Sequence, residues 1–401
     1  MKRYRIGVIG AGARGESFAR SLYAGSDRAG LFGLCDLDGD RLERFVAYCG
    51  LANARTFSDP AAFFAEPDLD AVIVTTPDFT HRDVAIQALR AGKDVYLEKP
   101  VAPTAAQCRD IIRVQRETRR LVFVGFNMRA APASQRVKDI LGSGLLGQIL
   151  HVEGLEQLRA AHSASFMRRF HRKRSNTGGI LNHKCCHDLD LILWSIGHQH
   201  RVVKVASFAG LNVFQPGKAP AKTCRECPPE VYRDCPYKDQ AGFVFPVRGD
   251  QPIHHRQADV YGADLCVYND DKAIFDNQTV IFEWDHGVRG NFNLQLFQAR
   301  GRRETRIWGE RGQLTAGDGQ IRTVLSTSGD TIEHAIPSAG PGGHGGTDPK
   351  MLGRFVEAMD RRDPGDSGLA EGLAVTLLAE KAEQSALTGQ VMAITPGEYE
   401  A

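Results

Sequence analysis

Lys99 stands between Glu98 and Pro100, at the end of the apolar run Val95-Tyr96-Leu97. Proline fixes its own φ and pushes the residue before it towards extended geometry, so this lysine is aimed rather than free to wander. An ammonium held this way can stabilise an alkoxide as it forms. With its pKa lowered by neighbouring cations, it can instead take a proton as a general base. His183 and His187 are the second chemistry-bearing pair. Their spacing of four places two imidazoles on one face of a continuous helix, where they and Lys99 would converge on one substrate. An ordinary alternative exists for each: a solvated lysine at a strand end, and a histidine that only packs.

A lysine so placed needs a reaction, and the start of the chain supplies one. Gly10-Ala11-Gly12-Ala13-Arg14-Gly15 follows a strand-like run and opens a helical pattern, the context a dinucleotide-binding loop requires. Gly10 makes the tight turn, Gly12 admits the pyrophosphate, and Gly15 lets the helix pack close. The backbone at Ala13 belongs to the helix N-terminus, which presents N–H groups to phosphates. Asp36 follows the second strand. Its carboxylate accepts from ribose hydroxyls and repels a 2′-phosphate, which favours NAD over NADP. Arg14 keeps a phosphate contact, and so NADP, open. Thr76-Pro77, His81, Glu98 and Lys99 lie at strand ends that line the ligand crevice of a doubly wound sheet. For His81 a helix-start contact to backbone alone is equally open.

These residues need a frame. Ile6–Ile9, Leu31–Cys35, Ala71–Thr75, Val95–Leu97 and Leu121–Val124 are short apolar runs separated by helical patterns. That reads as an α/β fold, a Rossmann doubly wound parallel sheet over residues 1–125. From residue 126 to 401 strand-like alternation dominates (149–158, 202–208, 259–267, 279–284, 289–296, 304–308), with helical patterns near 134–141 and 188–196. This predicts a second α/β domain on a large, mostly antiparallel open sheet. Residues 214–250 read as a proline-rich, cysteine-bearing insertion. The glycine-rich stretch 340–346 leads to a helix that Asp348 would N-cap, with Pro349 at its first position. His344 sits in that stretch, within reach of a substrate pocket, or in a flexible lead to the helix.

At 401 residues with net charge +2 and no long apolar span, the composition makes no general case for nucleic acid or a membrane surface. The N-terminus reads straight into the first strand, so no export signal is expected, and nine cysteines then fit a reducing cytoplasm.

The glycine loop, Thr75-Thr76-Pro77-Asp78-Phe79-Thr80-His81, Glu98-Lys99-Pro100 and Gly125-Phe126-Asn127-Met128-Arg129 occur in the order seen in the Gfo/Idh/MocA oxidoreductases. The chain resembles that family over nearly its whole length. The resemblance implies NAD(P) chemistry on sugars or cyclitols, with Lys99 near the nicotinamide and Asn127 and Arg129 near the ligands. It also implies a homodimer or homotetramer formed through the open sheet. Gly178–Asp190 is similar to the family's second-domain motif, and His187 matches its catalytic histidine and Asp190 its last acid. His183 stands where the family has aspartate, and Cys185 where it has glycine. Lys184 lies between them as a candidate substrate contact.

The resemblance leaves a second mechanism open. Some relatives are oxido-reductive glycosidases that keep NAD bound, and others are nucleotide-sensing regulators. Arg168–Arg174 is strongly basic. Arg172 and Arg174 there would clamp an anionic sugar such as a sulfoquinovoside, or form a solvated loop. Cys224-x2-Cys227-x7-Cys235 is read as a structural zinc set needing a fourth ligand from Cys266, His254 or His255, or as three plain thiols. A similar cysteine-bearing insertion occurs in some relatives.

Overall fold

The computed structural model describes residues 2–238, 265–338 and 343–401. They form two compact units. The first comprises residues 1–131, 338–376 and 399–401, and the second 132–337 and 377–398. The chain passes from the first unit to the second between residues 131 and 132, where 125 was expected, and a long C-terminal segment returns to the first unit.

The first unit is built on six parallel strands: β1 (Tyr4–Ile9), β2 (Ala29–Cys35), β3 (Arg55–Phe57), β4 (Ala71–Val74), β5 (Asp94–Leu97) and β6 (Val122–Val124). Their order is β3-β2-β1-β4-β5-β6, the doubly wound arrangement whose strand C-termini form a ligand crevice. All four residues of β4 are fully buried, because helices cover both faces and leave no solvent side. The helices start and stop on local signals. Asp38 accepts from Arg41 N–H at 3.0 Å, Thr104 accepts from Gln107 N–H at 3.3 Å, and Gly50 ends its helix in the left-handed region. Strand β3 escapes a reading by apolar runs because Arg55 and Thr56 are exposed at the sheet edge.

The returning segment carries the helix Gly343–Arg361. Its Phe355 is fully buried against Tyr96 and Phe123, with ring centroids 5.6 and 5.9 Å away, and Phe18 packs edge-on to Tyr96 at 5.0 Å. The helix begins before Asp348 and contains Pro349, so Asp348 is not the N-cap expected of it. Its carboxylate is used elsewhere.

The second unit carries nine strands: β7 (Ile149–Arg159), β8 (Val202–Gly210), β9 (Asn277–Trp284), β10 (Arg289–Gln298), β11 (Arg302–Gly309), β12 (Gly312–Gly317), β13 (Gln320–Leu325), β14 (Thr331–His334) and β15 (Met392–Ala393). Their order is β14-β13-β12-β11-β7-β10-β9-β8-β15. β10 pairs in parallel with β7, and the remaining neighbours are antiparallel. Alternation sorts the two faces. Val152, Val280, Phe282, Phe292 and Leu294 are buried, whereas Phe208 and Ile281 are 78% and 54% exposed on the other face. The strand expected at 259–267 falls largely outside the described residues; its end is a single bridge, Thr223 to Leu265. No helix among the described residues is long and apolar enough to cross a membrane.

Candidate active site

In the first unit the glycine loop is tight on its protein side and open on the other. Gly10 has φ 104°, and a Cβ there would come within 2.8 Å of the Thr75 carbonyl. A Cβ on Gly15 would come within 2.2 Å of Gly10 O. Gly12 is the N-cap of the helix Ala13–Ala24, which no side chain caps, and nothing lies within 4 Å of where its Cβ would be. The first-turn N–H groups, from Ala13 on, therefore face open space with the positive end of the helix dipole behind them. Asp36 Oδ2 accepts from Ala11 N–H at 2.8 Å and Oδ1 from Asp38 N–H at 3.0 Å. That fixes the carboxylate beside the loop with lone pairs to spare for a diol. These residues fit a dinucleotide.

Arg14 does not point along that open side. Its guanidinium donates to Glu98 Oε1 at 3.1 and 2.5 Å and to Asp348 Oδ2 at 2.9 Å. Ser17 also donates to Asp348, at 2.7 Å. Burial pulls the guanidinium pKa down, but the two carboxylates outweigh it and hold it above its ordinary value. The phosphate contact expected of Arg14 gives way to an internal ion pair, and Glu98 is its buried partner rather than an open cofactor contact.

Thr76, Pro77, His81 and Lys99 gather at the ends of β4 and β5. His81 is 1% exposed; its Nδ1 lies 2.8 Å from Pro100 O and its Nε2 2.9 Å from Thr76 O. Both ring nitrogens are thus engaged by backbone, the plainer of the two readings, and the imidazole ties the lysine's turn to the threonine's. Thr80 Oγ1 lies 2.7 Å from both Thr76 Oγ1 and Pro77 O, donating to the carbonyl and accepting from the other hydroxyl. The Lys99–Pro100 peptide is cis. Asp78 is buried, which pushes its carboxyl up to about 6 against the lowering pull of His81 and Lys99. Asn127 is 2% exposed, and its Oδ1 is buried with no hydrogen-bond partner among the described residues. Arg129 departs from expectation: it is fully buried, donates to Asp366 O and stacks on Phe126 at 5.0 Å. It has no surface with which to touch a substrate.

In the second unit His183 and His187 do not share a helix. His183 ends the short helix Ile180–His183, the chain turns through Lys184 and Cys185, and His187 lies in the first turn of Cys186–Ile196. The expected shared helical face is broken at that turn. His183 packs among rings, 4.3 Å from His171, 5.5 Å from Phe166 and 6.3 Å from Phe170. His187 is 9% exposed and Asp190 is 1% exposed.

Lys184 is also committed, donating to Glu156 Oε1 at 2.6 Å. Arg303 Nε lies 2.9 Å from Glu156 and 2.7 Å from Asp188. Two cations and two carboxylates thus brace the turn between the histidines. Burial and the neighbouring Asp188 raise the Glu156 pKa, while Lys184 and Arg303 oppose them. The basic run is likewise engaged. Arg172 pairs with Asp271 at 2.8 Å, Lys173 pairs with the same carboxylate, and Arg174 pairs with buried Glu383 at 3.0 Å. The anion clamp expected of Arg172 and Arg174 is not there; each guanidinium already holds a protein carboxylate. His344 lies where no side chain is described, and His254 and His255 are outside the described residues.

Two family models match the chain: an oxidoreductase family's NAD-binding Rossmann fold over residues 4–126, and the same family's C-terminal alpha/beta domain over residues 138–394. The chain belongs to the Gfo/Idh/MocA oxidoreductase family. YteT of Bacillus subtilis, named only as an oxidoreductase, is 26% identical over 332 residues, 75% of this chain and 76% of that one. An inositol 2-dehydrogenase of Acidothermus cellulolyticus is 33% identical over 204 residues, 51% of this chain and 56% of its own. The chain thus spans little more than half the length of that dehydrogenase. Among solved structures, the WlbA dehydrogenase of Chromobacterium violaceum, in complex with NADH and UDP-GlcNAcA, superposes with a TM-score of 0.73 at 20% identity, covering 99% of this chain and 97% of that one. Levoglucosan dehydrogenase with NADH gives 0.74 at 16% identity, covering 98% and 100%. At these identities the structures speak for the shared fold.

Within the family frame, residues that sequence reasoning passed over stand out. Asp78 lies inside the quoted Thr75–His81 motif and was legible there as a carboxylate beside a histidine. Glu156 and Arg303 gave no local signal, because they meet across a long stretch of chain, and Asp348 signalled a helix cap rather than the ion pair it makes with Arg14.

Proposed function

We propose that this protein is an NAD-dependent dehydrogenase acting on a secondary carbinol of a sugar, sugar derivative or cyclitol. The observation that carries the reading is the open, uncapped helix start at Gly12, with Asp36 fixed beside it. NAD, when bound, would supply the hydride acceptor for the carbinol carbon. The protein's own residues do the rest. The helix N-terminus takes the pyrophosphate, and Asp36 takes the adenosine ribose hydroxyls and disfavours a 2′-phosphate. Lys99 is assigned the charge that develops on the carbinol oxygen, and the likeness of Gly178–Asp190 to the family's second-domain motif makes His187 the candidate for its proton. His183, ringed by aromatic groups, is assigned the shape of the substrate's apolar face rather than proton transfer.

The substrate class draws on the relatives: inositol 2-dehydrogenases, a dehydrogenase solved with UDP-GlcNAcA, and levoglucosan dehydrogenase. We read the protein as a cytoplasmic homodimer or homotetramer assembled through the open face that carries Phe208 and Ile281. The test is a panel of cyclitols, hexoses, uronic acids and nitrophenyl glycosides, following NADH absorbance and aglycone together. NADH growth with a polyol supports the reading. Aglycone release without net NADH would replace it with an oxido-reductive glycosidase that retains NAD.

A further inference from the structure

Four cysteines of the second unit remain outside the proposed chemistry. Cys224, Cys227, Cys235 and Cys266 all line one cavity of about 590 Å³. They arrive on three separate turns. Cys227 N–H donates to Cys224 O at 3.3 Å, closing the C-x-x-C turn. Cys235 caps the short helix Pro229–Asp234 and opens the next turn to Lys238. Cys266 comes from some thirty residues further on, brought in by the bridge Thr223 to Leu265 and by its own N–H donating to Lys222 O at 2.9 Å. None of the four forms a disulfide, and all are half-buried.

A buried cation reaches the set. Arg168 is 3% exposed, and its guanidinium donates to Cys224 Sγ at 3.4 Å and to Tyr237 O at 2.9 Å. A buried cation aimed at a sulfur is the kind of outer contact that steadies a metal thiolate and offsets its charge. Four sulfurs with two in a C-x-x-C turn suit tetrahedral zinc in a closed structural site. A carboxylate–imidazole set elsewhere, His200, Asp285 and His286, has its ligand atoms within 4.8 Å of one another; no three of the cysteine sulfurs do among the described residues. An ion would therefore complete this site by drawing the three turns together, which is how small thiolate sites couple binding to order.

We propose that Cys224, Cys227, Cys235 and Cys266 bind one structural zinc ion that pins the insertion to the segment leading into β9. The site lies outside the redox chemistry, so its test needs no substrate. Full-length protein purified under reducing conditions without chelator should contain about one zinc per chain by elemental analysis. Cobalt substitution should give the intense visible bands of a tetrahedral thiolate centre. Cys227→Ser and Cys266→Ser should each lose at least about half of the zinc, while Cys49→Ser, in the first unit, should keep it. Should those variants misfold, mercurial titration of the wild type keeps the question open to decision: thiol modification should release zinc stoichiometrically. Zinc-free protein whose four thiols react freely, a Cys224–Cys227 disulfide under reducing conditions, or bound iron in place of zinc would each overturn the proposal.

Discussion

Glu98, the residue before the candidate catalytic lysine, is gripped by Arg14 of the glycine loop through two nitrogens of one guanidinium. The loop expected to hold the dinucleotide and the turn that aims Lys99 are thereby joined through a side chain, with Asp348 of the returning helix on the other side of the same guanidinium. Backbone continues the link. Glu98 N–H donates to Val74 O at 3.1 Å, and His81 bridges Thr76 to Pro100. Lys99 is positioned by three neighbouring strand ends rather than by its own loop.

Breaking that grip should cost stability first. Arg14→Ala strands two carboxylates whose side chains are 5% and 1% exposed. Removing one partner of a buried pair typically costs about 3 kcal/mol. Urea unfolding of the apo protein should show the loss. A change below about 0.5 kcal/mol would mean that the pair is solvated in solution.

The glycine loop predicts opposite behaviour at two positions. Gly12→Val finds open space for its side chain, so stability should be nearly unchanged while NAD affinity falls at least about 100-fold, roughly 2.7 kcal/mol. Gly15→Ala drives a methyl into Gly10 O and should destabilise by about 1–3 kcal/mol. Calorimetric titration with NAD and thermal unfolding separate the two. Tight NAD binding by Gly12→Val would place the pyrophosphate elsewhere.

Much of this was legible in the sequence, and the exceptions have physical causes. Runs of three to five residues, mostly apolar, betrayed the buried parallel strands β1, β2, β4, β5 and β6. Polar β3 and the short strands β12 to β15 offered no such run. The return of residues 338–376 to the first unit rests on contacts such as Phe355 with Tyr96, separated by hundreds of residues and invisible to local pattern. His183 and His187 misled because the four-residue spacing assumes an unbroken helix, and the chain turns at Lys184-Cys185. The basic run misled because charge is visible in a sequence while its partners, Asp271 and Glu383, are not.

Asp78 gives a pH signature. Its pKa is raised from 3.8 to about 6, so the folded chain holds this proton more tightly than the unfolded chain. The stability it lends is complete below its unfolded value and is lost as pH rises through about 6. Asp78→Asn stays neutral throughout. It should therefore gain on the order of 1–2 kcal/mol over wild type near pH 8 and nothing near pH 4. Thermal unfolding of apo protein across that range checks the sign; a variant destabilised equally at every pH would show that the carboxylate is ionised and held by bonds the amide cannot replace.

Asp36 should set cofactor choice. Asp36→Ser removes the acceptor for the ribose diol and the repulsion of a 2′-phosphate. NAD affinity should fall about tenfold and the preference over NADP should narrow or reverse. Unchanged discrimination between the two cofactors would separate Asp36 from the adenosine ribose and leave it only its bonds to Ala11 and Asp38.

Lys99 is the residue on which the proposed hydride chemistry turns. With a polyol identified from the panel, Lys99→Ala should bind NAD within about threefold of wild type yet lose turnover by at least about 100-fold, mainly in kcat. Near-normal turnover in that variant, with NAD bound, would contradict the assignment of Lys99 to the reacting oxygen.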